Sequence, residues 1–324
     1  MDRSKERLHL FHALVERITA IIDIEKRSIT NRELLDICST FGVETLSNEP
    51  HLCHEIAEAS FNLLLSRKYA RELLDSNDPT RACSEILRHL EKRLPTQTWR
   101  SSRQAEYQQF STPAPIAYLA AYLLNLKSTD TVLEPSCGTG SLAVWAHACG
   151  AIVVTNEIDT RRCDLARLLG FDPTEHDAQF IDDLMPESVI PNVILSNPPF
   201  SSTGGRVARN QYKFGFRHVE SALRRLGEGG RFAVILGENG SASSRAGKRL
   251  WESLLPDIRV SVFIELPGRE YYRNGTTICV TLILGRKIRE QVDDSNPAEV
   301  STTIITASSV EDAFEKTLRA DLLF

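Results

Sequence analysis

The chain has 324 residues, 42% hydrophobic and 25% charged, with a net charge of -5 at neutral pH. Such values suit a soluble globular chain long enough for two domains, and argue against a protein held to nucleic acid by overall positive charge. The seven cysteines are odd in number and form no C-x-x-C pair, so neither a disulfide framework nor a four-thiolate zinc site fits, and no run of about eighteen apolar residues predicts a membrane span.

The opening MDRSKERLHLF carries no apolar signal core, so a cytoplasmic, reducing location is expected. Apolar residues recur at three- and four-residue spacing in RLHLFHALVERITAIIDI and in CHEIAEASFNLLLSRKYARELL, which predicts an all-α region over residues 1–105. Its charged stretches read as solvated helix faces. His51, Cys53 and His54 lack further ligands at suitable spacing, so packing rather than metal binding is expected of them. The polar stretch PTQTWRSSRQAEYQQFSTP reads as a linker. Over residues 106–324 strands and helices alternate. STPAPIAYLAAYLLNL predicts a helix capped by Ser111 or Thr112, with Pro113 near its first turn. Strands are expected in TVLE, AIVVT, PNVILS, RFAVILG, VSVFIEL, TTICVTLILG and STTIIT. A further strand is expected to end near Asp177. The alternation predicts an α/β fold with a mostly parallel sheet covered on both faces.

Leu133 to Ser141, LEPSCGTGS, follows the first apolar strand. Gly138 and Gly140 permit a tight turn and close approach of a ligand to the backbone. Ligands of open α/β sheets bind outside the carboxyl ends of the strands. Glu134 stands at the entrance to the turn. A carboxylate there repels a pyrophosphate but attracts an ammonium group, which suits S-adenosylmethionine better than a dinucleotide. Glu157 lies nineteen positions beyond Gly138, a distance at which an acid accepts from ribose hydroxyls. Asp177, with Asp182 and Asp183 as rivals, is a candidate acceptor for an adenine amine.

The most informative stretch is VILSNPPFSS. Asn197, Pro198, Pro199 and Phe200 follow the apolar run Val193 to Leu195. Two prolines fix the backbone, so the Asn197 side-chain oxygen and the Pro198 carbonyl form a rigid pair of acceptors. An exocyclic amine has two protons to give them. Its lone pair, delocalised into a heteroaromatic ring, is a poor nucleophile. Paired acceptors favour the pyramidal nitrogen that attacks a methyl group, and stabilise most where charge develops. Phe200 is placed to stack on the base.

With these motifs the chain resembles the amino-methyltransferases of DNA. QQFSTP, Gln108 to Pro113, looks like the first cofactor motif of type I modification subunits; LEPSCGTGS is similar to their glycine motif, with Glu in place of the commoner Asp; NPPF matches their catalytic motif. The resemblance implies a Rossmann-like class I methyltransferase fold with a seven-stranded, mostly parallel sheet. It implies that Phe110, Thr112 and Pro113 line the methionine end of S-adenosylmethionine. Glu134, Pro135, Gly138 and Gly140 would meet its amino-acid part, Glu157 the ribose, Ile158 the adenine face, and Asp177, beside Ala178, the adenine amine. Over residues 105–285, blocks such as HVESALRRLGEGGRFAVIL and GREYYRNGTTICVTLIL resemble the methyltransferase module joined to strawberry-notch-type helicases in anti-restriction proteins. The implied reaction is methylation of the adenine exocyclic amine in DNA. The implied partner is DNA; with little chain after the last strands for a target-recognition domain, specificity is expected to come from the N-terminal helices, to come from a partner such as a specificity or helicase subunit, or to be low.

After NPPF, the stretch STGGRVARNQYKFGFRH places Arg206, Arg209, Lys213 and Arg217 among Tyr212, Phe214 and Phe216, a composition suited to gripping phosphates and stacking bases. A solvated loop is the competing reading. Arg269, Tyr271, Tyr272 and Asn274-Gly275 read as a hairpin turn with surface tyrosines. Two other functions are compatible with the sequence: methylation of RNA or of protein glutamine through a related N-P-P turn, and a non-catalytic DNA-binding or assembly subunit.

Overall fold

A computed structural model describes residues 3–43, 50–97, 110–200, 213–288 and 302–324. Seven strands form one sheet in the order β2-β1-β3-β4-β6-β5-β7. They are β1 (Thr131–Glu134), β2 (Ile152–Thr155), β3 (Val193–Ser196), β4 (Arg231–Gly237), β5 (Ile258–Leu266), β6 (Val280–Lys287) and β7 (Thr303–Thr306). Six strands run parallel and β6 runs against its neighbours β4 and β5. The chain leaves β1 toward β2 on one side and continues from β3 toward β4 on the other. The carboxyl ends of β1 and β3 therefore flank the point where strand order reverses, which is where open α/β sheets bind ligands.

The central strands are mostly apolar through their middle positions because both faces are covered. Val132, Leu195, Ile235, Ile264 and Leu282 belong to one core, whereas Leu133, Ile194, Val234, Phe263 and Ile283 belong to the other. Successive side chains of a strand point to opposite faces. The second core is closed by the Lys213–Arg225 and Arg245–Leu254 helices, with Trp251 stacked on Phe232 at 5.9–6.2 Å from its two aromatic neighbours.

The first core is thicker. The Ala114–Leu123 helix lies between the sheet and the N-terminal helices and buries all its side chains save Tyr122. A helix apolar all round needs such a position. Tyr118 stacks on Trp145 at 5.1 Å, packs on Phe314 at 5.0 Å, and donates its hydroxyl to the Leu73 carbonyl at 2.6 Å. Phe11, Leu14, Ile18, Leu34 and Ile56 extend this core through the helices Arg3–Asp23, Asn31–Thr40 and Pro50–Leu64. The Pro50–Leu64 helix continues through a π-helical turn, Leu65–Tyr69, into Ala70–Leu74. Ion pairs bind the helical layer to the rest: Arg7 donates to Asp164 at 2.8 Å, and Arg88 reaches Glu311 at 2.8 Å as well as Glu270.

Three local expectations need correction. The helix after the linker starts at Ala114 with Pro113 itself at the cap, because Pro115 already occupies the first turn. No strand ends at Asp177. FDPTEHD has a proline and five charged or polar residues in place of an apolar run, and makes a single bridge, Asn156 to Thr174. The Asn156 amide replaces the missing ladder: its nitrogen donates to the Pro135 and His176 carbonyls at 2.9 and 3.0 Å, and its oxygen accepts from Thr174 Oγ1 and His176 N at 2.8 and 2.9 Å. Finally, Tyr271 is not at the surface. The β5–β6 connection is a 3-10 segment, Gly268–Asn274, that buries Tyr271 completely and exposes Tyr272.

Candidate active site

A cavity of about 830 Å³ opens at the carboxyl ends of β1, β2 and β3. Its wall brings together Phe110, Thr112, Glu134, Pro135, Gly138, Glu157, Ile158, Asp177, Ala178 and the whole Asn197–Phe200 turn, which are scattered over ninety positions of sequence. Pro113 and Gly140 lie off the wall. Gly140, at φ +87°, instead lets the turn close against Phe171, 3.1 Å from where a Cβ would stand. Lys213 opens the Lys213–Arg225 helix and Arg217 is exposed on it, while Arg206 and Arg209 lie outside the described residues.

At one end of the cavity the chemistry is that of buried carboxylates. Glu134 ends β1, is 2% exposed, and its Oε2 has no hydrogen-bond partner. Burial pushes its carboxyl well above the usual range, and nearby Glu157 adds to the rise. Burial also raises Glu157, against the pull of Arg162 and of two backbone donors. Those donors are Gly138 N at 2.8 Å and Asp159 N at 2.9 Å. The acid after β2 thus holds the glycine turn in its left-handed shape, with Gly138 at φ +55°. Each carboxylate oxygen has a second lone pair and can still accept from a hydroxyl. Ile158 presents a bare apolar face, 57% exposed. Asp177 caps its own 3-10 turn, accepting from Gln179 N at 3.0 Å.

At the other end, the Asn197 amide nitrogen donates to the Phe110 carbonyl at 3.1 Å and to Thr112 Oγ1 at 2.9 Å, with Tyr271 Oη at 3.5 Å. A carbonyl oxygen can face only the nitrogen of an amide, so this contact fixes which way the group points. Asn197 Oδ1 is left buried with no partner. Phe200 packs on Phe110 with centroids 6.3 Å apart and edge-on to Tyr271 at 5.9 Å.

Sequence reasoning missed the residues that the helical layer contributes. Asn62 donates to Thr139 O at 3.1 Å and to Ser141 Oγ at 3.2 Å, and Ser141 Oγ donates to Glu58 at 2.9 Å. Glu55 accepts from Arg162 Nε at 2.7 Å and pairs with His51 at 3.0 Å. His51, Glu55, Asn62 and Ser141 are buried and Glu58 is half-buried, so these are not solvated helix faces. The available signal was spacing: His51, Glu55, Glu58 and Asn62 recur at three and four residues along one side of a helix.

The donor set fits S-adenosylmethionine. An orphaned acid at Glu134 suits its ammonium, a free-sided carboxylate at Glu157 its ribose, and an exposed apolar side chain at Ile158 its purine. The cavity volume lies in the range that holds ligands of this size. Among the described residues no group of His, Cys, Asp and Glu is arranged to hold a metal, and no helix is long and apolar enough to cross a membrane.

No protein-family model matches the chain. A curated relative, the tRNA (guanine(10)-N2)-dimethyltransferase of Methanothermobacter thermautotrophicus, is 29% identical over 165 residues, 44% of this chain and 47% of that protein. The chain thus spans about half the length of the curated relative it matches. Among solved structures, one from Listeria monocytogenes described as a class I S-adenosylmethionine-dependent methyltransferase superposes with a TM-score of 0.55 at 15% identity, covering 98% of both chains. The type I restriction-modification methyltransferase subunit of Streptococcus thermophilus gives 0.51 at 19% identity, over 96% of this chain and 73% of that one. The fold is that of the class I S-adenosylmethionine-dependent methyltransferases, preceded by a layer of helices.

Proposed function

We propose that this chain transfers a methyl group from S-adenosylmethionine to the exocyclic amine of adenine in DNA. The observation that carries the reading is the Asn197 amide: its nitrogen is held by Phe110 and Thr112, its oxygen is left without a partner, and the residue lines the cavity that also contains Glu134 and Gly138. Bound there, the cofactor supplies an electrophilic methyl on a sulfonium. Everything else falls to the protein. Asn197 Oδ1 and the Pro198 carbonyl draw the two amine protons out of the base plane and favour the pyramidal nitrogen. Because the amide is held by two other groups, it need not reorganise when charge develops on the attacking nitrogen. No general base is required at the reacting atom, since the methylated nitrogen is strongly acidic until it loses its proton.

The substrate assignment rests on the NPPF and QQFSTP blocks and is supported by the likeness to a type I modification subunit. The target base has to leave its stack to reach such a cavity. Arg206, Arg209, Lys213 and Arg217 are the proposed phosphate contacts, the division at about residue 105 the proposed domain boundary, and a specificity or helicase subunit the proposed partner. A second reading, methylation of an amine in RNA, is favoured by the relative whose name specifies tRNA guanine. A methyl-transfer assay with labelled cofactor on duplex DNA, single-stranded DNA, tRNA and protein separates them. Label in N6-methyladenine of DNA is the expected result; label confined to RNA or protein would overturn the DNA assignment.

A further inference from the structure

Arg162 stands in the first turn of the Thr160–Leu168 helix, five residues after Glu157. It is only 5% exposed, yet it forms part of the cavity wall. Its Nε donates to Glu55 Oε1 at 2.7 Å, the one hydrogen bond of this guanidinium found among the described residues. A guanidinium carries five donors in a rigid plane. The Nη1 atom lies 3.8 Å from the point where a Cβ on Gly138 would stand. The unengaged edge of the fork therefore faces the glycine turn, where a ligand comes nearest the backbone.

Charge balance alone does not account for this placement. Glu55, Glu58 and Glu157 surround the guanidinium and favour its charged form against the cost of burial. Burial pushes Glu58 and Glu157 toward their neutral forms, whereas Glu55, for which burial is outweighed by Arg162 and His51, stays ionised. Glu55 offsets the charge but meets one donor of five. The opposite complement, an acid with a free oxygen, is Glu134 on the same wall. An α-amino acid presents an ammonium and a carboxylate on a single carbon.

We propose that Arg162 binds the carboxylate of the cofactor's amino-acid end, and that Glu55, from the N-terminal helices, is the positioning residue that aims its fork at the glycine turn. The inference rests on the methyltransferase reading above. It also gives the helical layer a part in ligand recognition.

Calorimetry on the full chain tests it, with S-adenosylhomocysteine and its decarboxylated counterpart as probes. The unaltered protein should bind the carboxylate form about tenfold tighter or more, equivalent to about 1.4 kcal/mol. Arg162→Gln should bring the ratio of the two affinities close to one by weakening the carboxylate form alone, and Arg162→Lys should keep part of the preference. Since Arg162→Gln leaves Glu55 buried without its ion pair, Glu55→Gln/Arg162→Gln is measured beside it and judged by the same ratio. Glu55→Gln alone should lower the ratio; an equal loss for both ligands would make Glu55 merely structural and sink its half of the proposal. Equal affinities in the unaltered protein, or a preference that survives Arg162→Gln, would overturn the assignment of Arg162. Binding of neither probe to the folded, unaltered chain would instead remove the cofactor site itself, and the inference with it.

Discussion

The two ends of the cavity are built on opposite electrostatic plans. Around the glycine turn the protein buries ionisable groups, Glu134 and Glu157 at the strands' ends and Glu55 and Arg162 behind them, with Glu58 half-buried beside them. Around Asn197 the polar groups are neutral: an amide, a threonine hydroxyl, a backbone carbonyl and a tyrosine. A site for a permanently cationic ligand gains from buried acids, whose desolvation the ligand's charge then offsets. A site for a neutral amine gains from fixed dipoles, because an ionised carboxylate beside the amine would also stabilise the protonated, unreactive base. The difference predicts that the two ends respond separately to mutation and to pH.

The largest effect is expected at the neutral end. Asn197→Ala should lower the methyl-transfer rate by about a hundred- to a thousandfold, the scale for loss of one pre-aligned dipole, while calorimetric affinity for S-adenosylhomocysteine stays within about twofold. A parallel collapse of cofactor affinity would show that the two ends are one unit. At the charged end, Glu134→Gln keeps shape and removes charge. Cofactor affinity at slightly alkaline pH should fall about tenfold or more, as expected for a charge-assisted hydrogen bond, with turnover at saturating cofactor changed far less. Loss of turnover without loss of affinity would reverse the assignment.

The pH response sharpens the same contrast. Burial holds Glu134, and less strongly Glu157, above the ordinary value of 4.5. Between that value and the raised one, the ligand-free fold keeps a proton that the unfolded chain has released. These groups therefore favour the fold most at low pH, and their contribution declines as the pH climbs through the window. Ammonium binding needs the ionised form, so cofactor affinity should rise with pH over the same interval, with proton release on binding. Calorimetry in buffers of different ionisation enthalpy measures that release, and its absence, or its survival in Glu134→Gln, would detach the effect from Glu134.

How far the sequence disclosed these two ends follows the same division. The neutral end was legible because Asn197 to Phe200 are contiguous and two prolines leave the backbone few choices. The glycine turn was legible for a similar local reason. What backs it was not: Glu55 meets Arg162 across 107 positions and Asn62 meets Thr139 across 77. No local pattern distinguishes a helix acid aimed at another element from one aimed at water. Sequence reasoning also placed a strand before Asp177, where a proline and charged residues block an apolar run and Asn156 supplies the missing hydrogen bonds. The seven strands are reached through Thr303–Thr306, parallel to β5, without any strand from that segment.

Tyr271 is the hardest case and yields the smallest predicted effect. Locally, EYYRNG reads as a turn with surface aromatics, and Tyr272 behaves so. Tyr271 turns inward because helical-layer contacts hold the segment: Gln97 N donates to the Arg273 carbonyl at 2.9 Å, Arg273 donates to the Glu91 carbonyl at 3.2 Å, and Glu270 pairs with Arg88. Its hydroxyl is then a third, longer neighbour of the Asn197 nitrogen, behind Phe110 and Thr112. An amide nitrogen has two hydrogens, and the two shorter contacts already use them. Tyr271→Phe should thus lower turnover by only about two- to fivefold, a fraction of an ordinary hydrogen bond, leaving cofactor affinity unchanged. Thr112→Val, which removes a 2.9 Å acceptor, should cost more. If the order were reversed, the amide would be held chiefly from the β5–β6 connection, and the helical layer that clamps this connection would control the neutral end as directly as it backs the charged one.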